Sequence, residues 1–264
     1  MILRNFIYPL CRIQLRKARP CEANYFLYTQ SMPAKHRIKT YEENAYYHLY
    51  NRGVNKQLIF QDDQDYGVFL SYLKNYLEKK DEKALQSIIA NPIASWREKD
   101  HAIKLLRLNN FFNTISLVTH CLMPNHFHFL IRQTDANAID RFMNSLCTRY
   151  TMFFNKKYKR IGPLFQSVYK AVMVTTDEQL KYLTRYIHRN PILKYMSADI
   201  SSRILSTYQY SSYPEYLGLR NTGWIHAEKI LAYFGDSSQK YQSFVEDMDA
   251  EENMVHFTHT LMLD

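Results

Sequence analysis

Glycine, proline and cysteine are scarce in this chain, and long apolar runs are missing. Its 264 residues include only six glycines, eight prolines and four cysteines. No two cysteines form a CxxC pair, so neither a zinc knuckle nor a disulfide framework is indicated. An uninterrupted apolar run of about 18 residues is also missing, which argues against a membrane span. The N-terminal apolar stretch, residues 6–11, is shorter than a signal-peptide core, and a cytoplasmic protein is predicted.

Positive charge and aromatic rings are abundant instead. The chain has 34 Lys and Arg against 25 Asp and Glu, a net charge of +9, with 22 Tyr and 15 Phe. A basic balance favours a polyanionic partner, either nucleic acid or an anionic membrane surface. Aromatic rings among basic residues suit stacking on unpaired bases, although most of them belong in a core. Composition alone therefore favours nucleic acid without deciding the matter.

The order of periodic segments predicts an α+β fold. Apolar residues at helical spacing indicate helices, and runs rich in β-favouring residues indicate strands. The predicted strands are 45–53, 113–124, 126–133 and 167–176, and the predicted helices are 63–80, 139–158 and 177–190. Their order, β-α-β-β-α-β-α, is the split βαβ plan of ferredoxin-like and RRM-like folds, with an antiparallel sheet and an added helix.

Three regions follow from this pattern. Residues 1–40 carry many basic side chains and no acidic residue before Glu22, which indicates an N-terminal extension. That extension is either poorly ordered, a DNA-contacting arm, or the product of an early start codon. Residues 41–191 form the main domain, with a helical excursion at 81–110, and residues 192–264 form a C-terminal helical appendage packed on it.

Two histidines stand two residues apart on the third predicted strand. Alternation along a strand puts His126 and His128 on the same face, with Phe127 on the other. Both imidazoles could therefore ligate one metal ion. A His-x-His triplet also arises by chance in a chain with ten histidines, so this pair needs support from other residues.

That support comes from the helix predicted at 177–190. Tyr186 and Asn190 lie four residues apart and should stand side by side on one face. A hydroxyl nucleophile would then neighbour an amide oxygen, and two imidazoles with one amide oxygen suit Mg²⁺ or Mn²⁺. The alternative, from spacing alone, is that Tyr186 is a packed aromatic residue and Asn190 a C-terminal helix cap.

Several motifs resemble those of a known family. MPNHFHFLI at 123–131 resembles the His-hydrophobic-His (HUH) signature of the single-tyrosine, insertion-sequence 200-like transposases. YIHRNP at 186–191 resembles the tyrosine motif of their REP-associated branch. Further matches lie in the same order between about 44 and 235, namely YHLYNRGVNKQLIF, RIGPLFQ, and YQYSSYPEYLG followed by Gly223-Trp224. The resemblance makes 41–191 a HUH catalytic domain.

The resemblance also implies roles for single residues. Carried over by position, the metal ligands are His126, His128 and Asn190, and the nucleophile is Tyr186. The implied reaction is a metal-assisted DNA transposition step, in which single-stranded DNA beside a hairpin is cleaved and rejoined through a 5′-phosphotyrosine. Basic residues near these motifs are predicted to hold the DNA backbone, namely Arg149, Lys156, Lys157, Arg160, Arg185 and Arg189.

Other functions stay open at this point. A relaxase or replication-initiator nuclease uses the same HUH chemistry, and a domesticated, non-catalytic DNA-binding protein could keep the same fold. The sequence leaves open whether the protein forms a homodimer, and whether Tyr186 works with the histidines of its own chain. A DNA substrate implies a cytoplasmic, nucleoid-associated protein with no membrane partner.

Overall fold

The computed structural model describes residues 41–192 and 198–247, so the predicted extension at 1–40 lies outside the described residues. The elements of the main domain are β1 (Tyr46–Arg52), α1 (Asp63–Leu77), α2 (Glu82–Ala90), α3 (Trp96–Arg107), β2 (Ile115–Met123), β3 (His126–Gln133), α4 (Ala138–Lys157), β4 (Lys170–Val174) and α5 (Asp177–Arg189). Four helices follow, namely α6 (Ala198–Thr207), α7 (Tyr213–Tyr216), α8 (Glu228–Ala232) and α9 (Ser238–Glu246).

The four strands form one antiparallel sheet in the order β2-β3-β1-β4. Strand β3 lies between β1 and β2, and β1 lies between β3 and β4, so each helical crossover skips one strand. This is the split βαβ arrangement, and it confirms the predicted fold. The Pro124-Asn125 turn joins β2 to β3 as a two-residue hairpin, with Met123 opposite His126.

Alternation along the strands divides the buried side chains between the two faces of the sheet. Phe127 and Phe129 point to the face covered by α1 and α4 and join the larger apolar core. Leu130 points to the opposite face, where it shares a second core with Leu183 and Ile187 of α5 and with the C-terminal helices. The sheet is therefore buried on both faces, and the His-x-His residues lie on the α5 side.

Helix α5 begins at a Thr cap. The Thr176 hydroxyl accepts from the Gln179 backbone N–H at 3.1 Å. The Gln179 side chain instead accepts from the backbone and hydroxyl of Thr175. This cap fixes the rotational phase of the helix and therefore which residues face the sheet.

The excursion at 81–110 contains the paired helices α2 and α3. Lys80 Nζ fastens the base of this hairpin by donating to the carbonyls of Leu106 and Leu108. Helices α6 to α9 confirm the predicted C-terminal helical appendage. The exact division into regions stays a prediction. Among the described residues, no helix combines the length and apolar character needed to cross a bilayer.

Candidate active site

Strands β1 and β3 bring histidines together on the α5 side of the sheet. Tyr50 of β1 pairs with His128 of β3, and Arg52 pairs with His126. His48, two residues before Tyr50, therefore lies on the same face as both β3 histidines. The ring centroids of His126 and His128 are 5.0 Å apart, and those of His48 and His128 are 5.1 Å apart.

Helix α5 places Tyr186 and Asn190 against this histidine group. The Tyr186 ring meets the His128 ring edge-on with centroids 5.4 Å apart, and it lies 6.3 Å from the His48 ring. One turn later, Asn190 Oδ1 lies 3.1 Å from His126 Nε2. The structure thus brings together the four residues that the motifs singled out, and all of them come from one copy of the chain.

The structure also shows core packing of Tyr186 and helix capping by Asn190, the two alternatives to a functional role that spacing alone had left open. Tyr186 is mostly buried in the second core, with 6% of its surface exposed. Asn190 is the C-cap of α5 and begins a short 3-10 helix, Asn190–Ile192. Packing and capping hold these two side chains in place and do not conflict with their facing the histidines.

Hydrogen bonds fix the orientation of both imidazoles on β3. His126 Nδ1 lies 2.7 Å from Asn125 Oδ1, and His128 Nδ1 lies 2.9 Å from His48 Nε2. Burial, reinforced by the neighbouring His48, His126 and Arg52, holds the pKa of His128 well below its usual range. The His128 ring is therefore neutral near pH 7, which is the form that binds a metal ion.

The donor atoms fit a small divalent cation. In an octahedral site with bonds of about 2.1 Å, neighbouring ligand atoms lie about 3 Å apart, and His126 Nε2 and Asn190 Oδ1 are separated by 3.1 Å. The Asn190 amide nitrogen is buried without a hydrogen-bond partner among the described residues. Within those residues, no three His, Cys, Asp or Glu side chains form a metal-binding group.

A cleft of about 280 Å³ opens beside these residues. Its wall is formed by the histidines, Tyr186, the end of β1 and the loop before β4. The loop is held by backbone bonds from Val54 N to Leu164 O at 2.9 Å and from Gln166 N to Arg52 O at 3.0 Å. Gln166, the last residue of the RIGPLFQ motif, lines the cleft together with Ser167.

Gly53 allows the chain to turn tightly at this edge. A Cβ on this residue would lie 2.3 Å from the Gln57 carbonyl oxygen, closer than any side chain tolerates. Its backbone N–H donates to the Asn125 carbonyl at 2.9 Å. The turn after β1 is thereby fastened to the β2–β3 turn that precedes His126.

Two of the predicted DNA contacts, Arg185 and Arg189, are buried, with 0% and 2% of their surfaces exposed. The Arg185 guanidinium donates to the Asp247 carbonyl, and Arg189 Nη1 donates to the carbonyls of Val245 and Asp247 at 2.9 and 3.1 Å. Both side chains tie α5 to the end of α9, and a contact between either one and a DNA phosphate stays a prediction.

The other predicted basic residues lie on and after α4, and the cleft residues do not include them. Arg149 is half-buried and stacks over the Tyr72 ring at 3.8 Å. Lys157 is paired with Asp62 and Asp65 at 2.7 and 2.8 Å. Arg160 is half-buried and Lys156 is exposed, so contacts between these four residues and DNA stay predictions.

Sequence reasoning missed the basic residues that do line the cleft. These are Arg52, Lys56 and Lys170. Arg52 follows His48 and Tyr50 at a period of two along β1, and this alternation could have indicated their shared face. Lys170 gave no such signal, because its place beside Tyr50 depends on the pairing of β4 with β1.

Comparison with protein families identifies the central part of the chain. Residues 97–190 match the family described as "Transposase IS200 like". The match covers about a third of the chain, and over these residues the chain is similar to the IS200-like transposases. The matched range includes His126, His128, Tyr186 and Asn190, and it confirms the resemblance drawn from the motifs. This match supports a DNA transposase as the general class of activity.

Two solved structures show distant similarity to this chain. One is a REP-associated tyrosine transposase bound to a REP hairpin, at 9% identity over 72% of this chain and 96% of its own, with a TM-score of 0.38. The other is tRNA(His) guanylyltransferase from Saccharomyces cerevisiae, at 10% identity over 85% and 82%, with a TM-score of 0.27. At these values neither similarity establishes an activity. No curated protein sequence matches the chain.

Proposed function

We propose that this chain is a metal-dependent, single-tyrosine DNA transposase that cleaves and rejoins single-stranded DNA through a 5′-phosphotyrosine. One observation carries the proposal: Tyr186, two β3 histidines and Asn190 converge in one place, although they come from separate elements. The Tyr186 ring lies 5.4 Å from the His128 ring, and Asn190 Oδ1 lies 3.1 Å from His126 Nε2. A hydroxyl nucleophile thus neighbours a set of cation ligands.

In this proposal, His126, His128 and Asn190 hold Mg²⁺ or Mn²⁺. The bound ion would polarise the scissile phosphate and stabilise the negative charge on its oxygens. The His128 ring is kept neutral by burial, so it needs no deprotonation before binding the ion. The amide oxygen of Asn190 adds a hard, uncharged ligand.

Tyr186 supplies the attacking group. Its hydroxyl oxygen forms a bond to phosphorus, and the bond between phosphorus and the 3′ oxygen of the preceding nucleotide breaks. The hydroxyl proton is lost as the attack proceeds, and the departing 3′ oxygen gains one. The products are a 5′-phosphotyrosine and a free 3′-hydroxyl. Because the phosphodiester is exchanged and not hydrolysed, another 3′-hydroxyl can reverse the step and rejoin strands.

The cleft supplies contacts for the DNA backbone. Arg52, Lys56 and Lys170 line it around the histidine group, and positive side chains there would draw phosphates toward Tyr186. Lys170 Nζ lies 5.3 Å from the centre of the Tyr50 ring. A cationic side chain next to an aromatic ring is typical of surfaces that bind single-stranded nucleic acid.

Hairpin-flanked DNA is the substrate that we propose, because YIHRNP resembles the tyrosine motif of the REP-associated branch. Because the Tyr186 ring lies 5.4 Å from the His128 ring of the same chain, we propose a site formed within one chain, for which a homodimer is not required. The reaction would take place on chromosomal DNA, which implies a nucleoid-associated protein in the cytoplasm.

The test is covalent capture of DNA. Purified protein is incubated with a single-stranded hairpin oligonucleotide from its genomic flanks, with Mn²⁺ or with EDTA, and adducts are mapped by mass spectrometry. We expect a Mn²⁺-dependent adduct on Tyr186 that Tyr186→Phe abolishes. Tyr182→Phe is the matched control, because Tyr182 lies one helical turn earlier and packs on Phe244 at 5.6 Å.

Each contrary result points to a different function. Hairpin binding without an adduct in the presence of Mn²⁺ would contradict the transposase proposal and favour a non-catalytic DNA-binding protein. An adduct that is never resealed onto a second 3′-hydroxyl would favour a nuclease of the relaxase or replication-initiator kind. An adduct that survives in Tyr186→Phe would show that another residue is the nucleophile.

A further inference from the structure

Asn125 lies in the β2–β3 turn, immediately before the first of the two β3 histidines. Its side-chain Nδ2 donates to the Lys56 carbonyl at 3.2 Å, and its backbone carbonyl accepts from Gly53 N–H at 2.9 Å. The preceding Pro124 carbonyl accepts from Ile59 N–H at 2.8 Å. These three hydrogen bonds connect the turn to the segment that follows β1.

These contacts fix which way the Asn125 amide points. Because Nδ2 donates to a carbonyl, the other end of the amide, Oδ1, faces His126, and Oδ1 lies 2.7 Å from His126 Nδ1. An amide oxygen only accepts hydrogen bonds. His126 must therefore carry a proton on Nδ1 to make this contact.

The proton on Nδ1 determines the chemistry at the other ring nitrogen. A neutral imidazole carries one proton, so His126 Nε2 then presents a lone pair. This is the nitrogen that lies 3.1 Å from Asn190 Oδ1. With a neutral His126 ring, Nε2 and Asn190 Oδ1 are both acceptors, so they form no hydrogen bond with each other. Two lone pairs at this distance are suited to sharing a cation.

We propose that Asn125 is a positioning residue that holds His126 in its Nδ1–H tautomer, and so directs Nε2 toward the metal ion. The inference rests on the proposed function, because it takes His126 as a metal ligand. Partners of this kind, which hydrogen-bond to the outer nitrogen of a ligating histidine, typically change metal affinity by about 10- to 100-fold.

Two substitutions separate positioning from a merely structural role in the turn. Asn125→Ala removes the donor to Lys56 and the acceptor for His126. Asn125→Asp removes the donor but keeps an acceptor. If Asn125 acts only through its bond to Lys56, both variants should lose the His126 tautomer and Mn²⁺ affinity equally. If Asn125 positions His126, Asn125→Asp should keep the tautomer and the affinity that Asn125→Ala loses. Asn110→Ala is the matched control, because that amide also bridges backbone carbonyls, at Asn75 and Glu78, far from this site in the sequence.

The first measurement is the tautomer itself, in metal-free full-length protein with ¹⁵N-labelled histidine at about pH 8, where free imidazole is neutral. Long-range ¹H–¹⁵N spectra distinguish a protonated from an unprotonated ring nitrogen. We expect His126 to be the Nδ1–H form in the parent chain, in Asn125→Asp and in Asn110→Ala, and a mixture of tautomers in Asn125→Ala. A His126 protonated on Nε2 in the parent chain would overturn the proposal.

The second measurement is Mn²⁺ affinity, from the electron paramagnetic resonance signal of the free ion. We expect a loss of about 10- to 100-fold in Asn125→Ala and little change in Asn125→Asp or Asn110→Ala. Equal losses of Mn²⁺ affinity in the folded Asn125→Ala and Asn125→Asp variants would overturn the proposal. If Asn125→Ala does not fold, the Mn²⁺ affinity of Asn125→Asp alone decides the matter. A parent chain that binds no Mn²⁺ yet shows the Nδ1–H tautomer would contradict the proposed function instead.

Discussion

His48 Nε2 and His128 Nδ1 lie 2.9 Å apart in the interior of the protein. The two residues are separated by 80 positions in the sequence, and both rings are buried. Since the bond occupies Nδ1 of His128, Nε2 is the nitrogen left for another ligand. His48 therefore contacts Nδ1 of His128 in the same way as Asn125 contacts Nδ1 of His126. Each β3 histidine has a hydrogen-bonding neighbour at this nitrogen.

Replacing His48 should weaken metal binding while leaving the fold intact. His48→Phe keeps an aromatic ring that can stack on Tyr50, whose ring centroid lies 4.9 Å from that of His48, but it removes the ring nitrogen that lies 2.9 Å from His128 Nδ1. We expect a loss in Mn²⁺ affinity of about 10- to 100-fold, measured by titration calorimetry. His101→Phe, on the exposed side of α3, is the control and should bind Mn²⁺ like the parent chain.

Removing a basic side chain from the cleft should weaken DNA binding in a salt-dependent way. For Lys56→Ala and Lys170→Ala, we expect the slope of log affinity against log salt concentration for single-stranded DNA to fall by about 0.7 per lost phosphate contact. Fluorescence anisotropy over a range of NaCl concentrations measures this slope. Lys83→Ala, on the exposed helix α2, should leave the slope unchanged, and a parental slope in both cleft variants would show that phosphates bind elsewhere.

Truncation of Arg189 should reduce stability and not phosphate binding. Arg189→Ala removes a buried side chain and leaves the carbonyls of Val245 and Asp247 without its two hydrogen bonds. We expect the free energy of unfolding to fall by about 2–4 kcal/mol, measured by urea denaturation. At a temperature where the variant is folded, the salt dependence of its DNA binding should match the parent chain. A lower slope of log affinity against log salt concentration in Arg189→Ala would support the prediction that Arg189 contacts a phosphate.

The free energy of unfolding should fall in mild acid, because the buried His120 side chain resists protonation in the folded protein. Burial lowers the pKa of this side chain to about 4, and neither ring nitrogen has a hydrogen-bond partner among the described residues. The unfolded chain, with an ordinary pKa near 6.5, then binds a proton more readily than the folded one. Stability is therefore highest above pH 6.5 and falls toward pH 4, by about 3 kcal/mol from this residue.

Urea denaturation at a series of pH values tests this expectation. His120→Phe preserves a ring that can stack on Trp224, whose centroid is 5.8 Å away, and it removes the titrating group. The pH dependence between about 4 and 6.5 should then become shallower. An unchanged profile would assign the acid sensitivity to other groups, such as buried His188, whose pKa burial also lowers.

Local sequence patterns were sufficient to predict the elements that carry the site. Period-two alternation placed His126 and His128 on one face of β3. The spacing of Tyr186 and Asn190 predicted their shared face on α5. These predictions succeeded because strand and helix geometry depend on neighbouring residues and repeat at fixed periods.

The exposure of charged side chains could not be predicted in the same way. Arg185 and Arg189 flank Tyr186 in the sequence, and charged residues are seldom buried. In the structure, the end of α9 covers them, 56 to 62 residues further along the chain. No local period encodes which distant segment covers a helix face.

The sequence by itself thus determined the order of the elements and the faces on which His126, His128, Tyr186 and Asn190 lie. It also named these four residues as candidates for binding a metal ion or attacking a phosphate. Only the tertiary structure decided that His48 contacts His128, that Lys170 lines the cleft, and that two predicted DNA contacts are buried. The physical reason is that backbone geometry fixes the direction of a side chain, whereas packing between distant segments decides what that side chain meets.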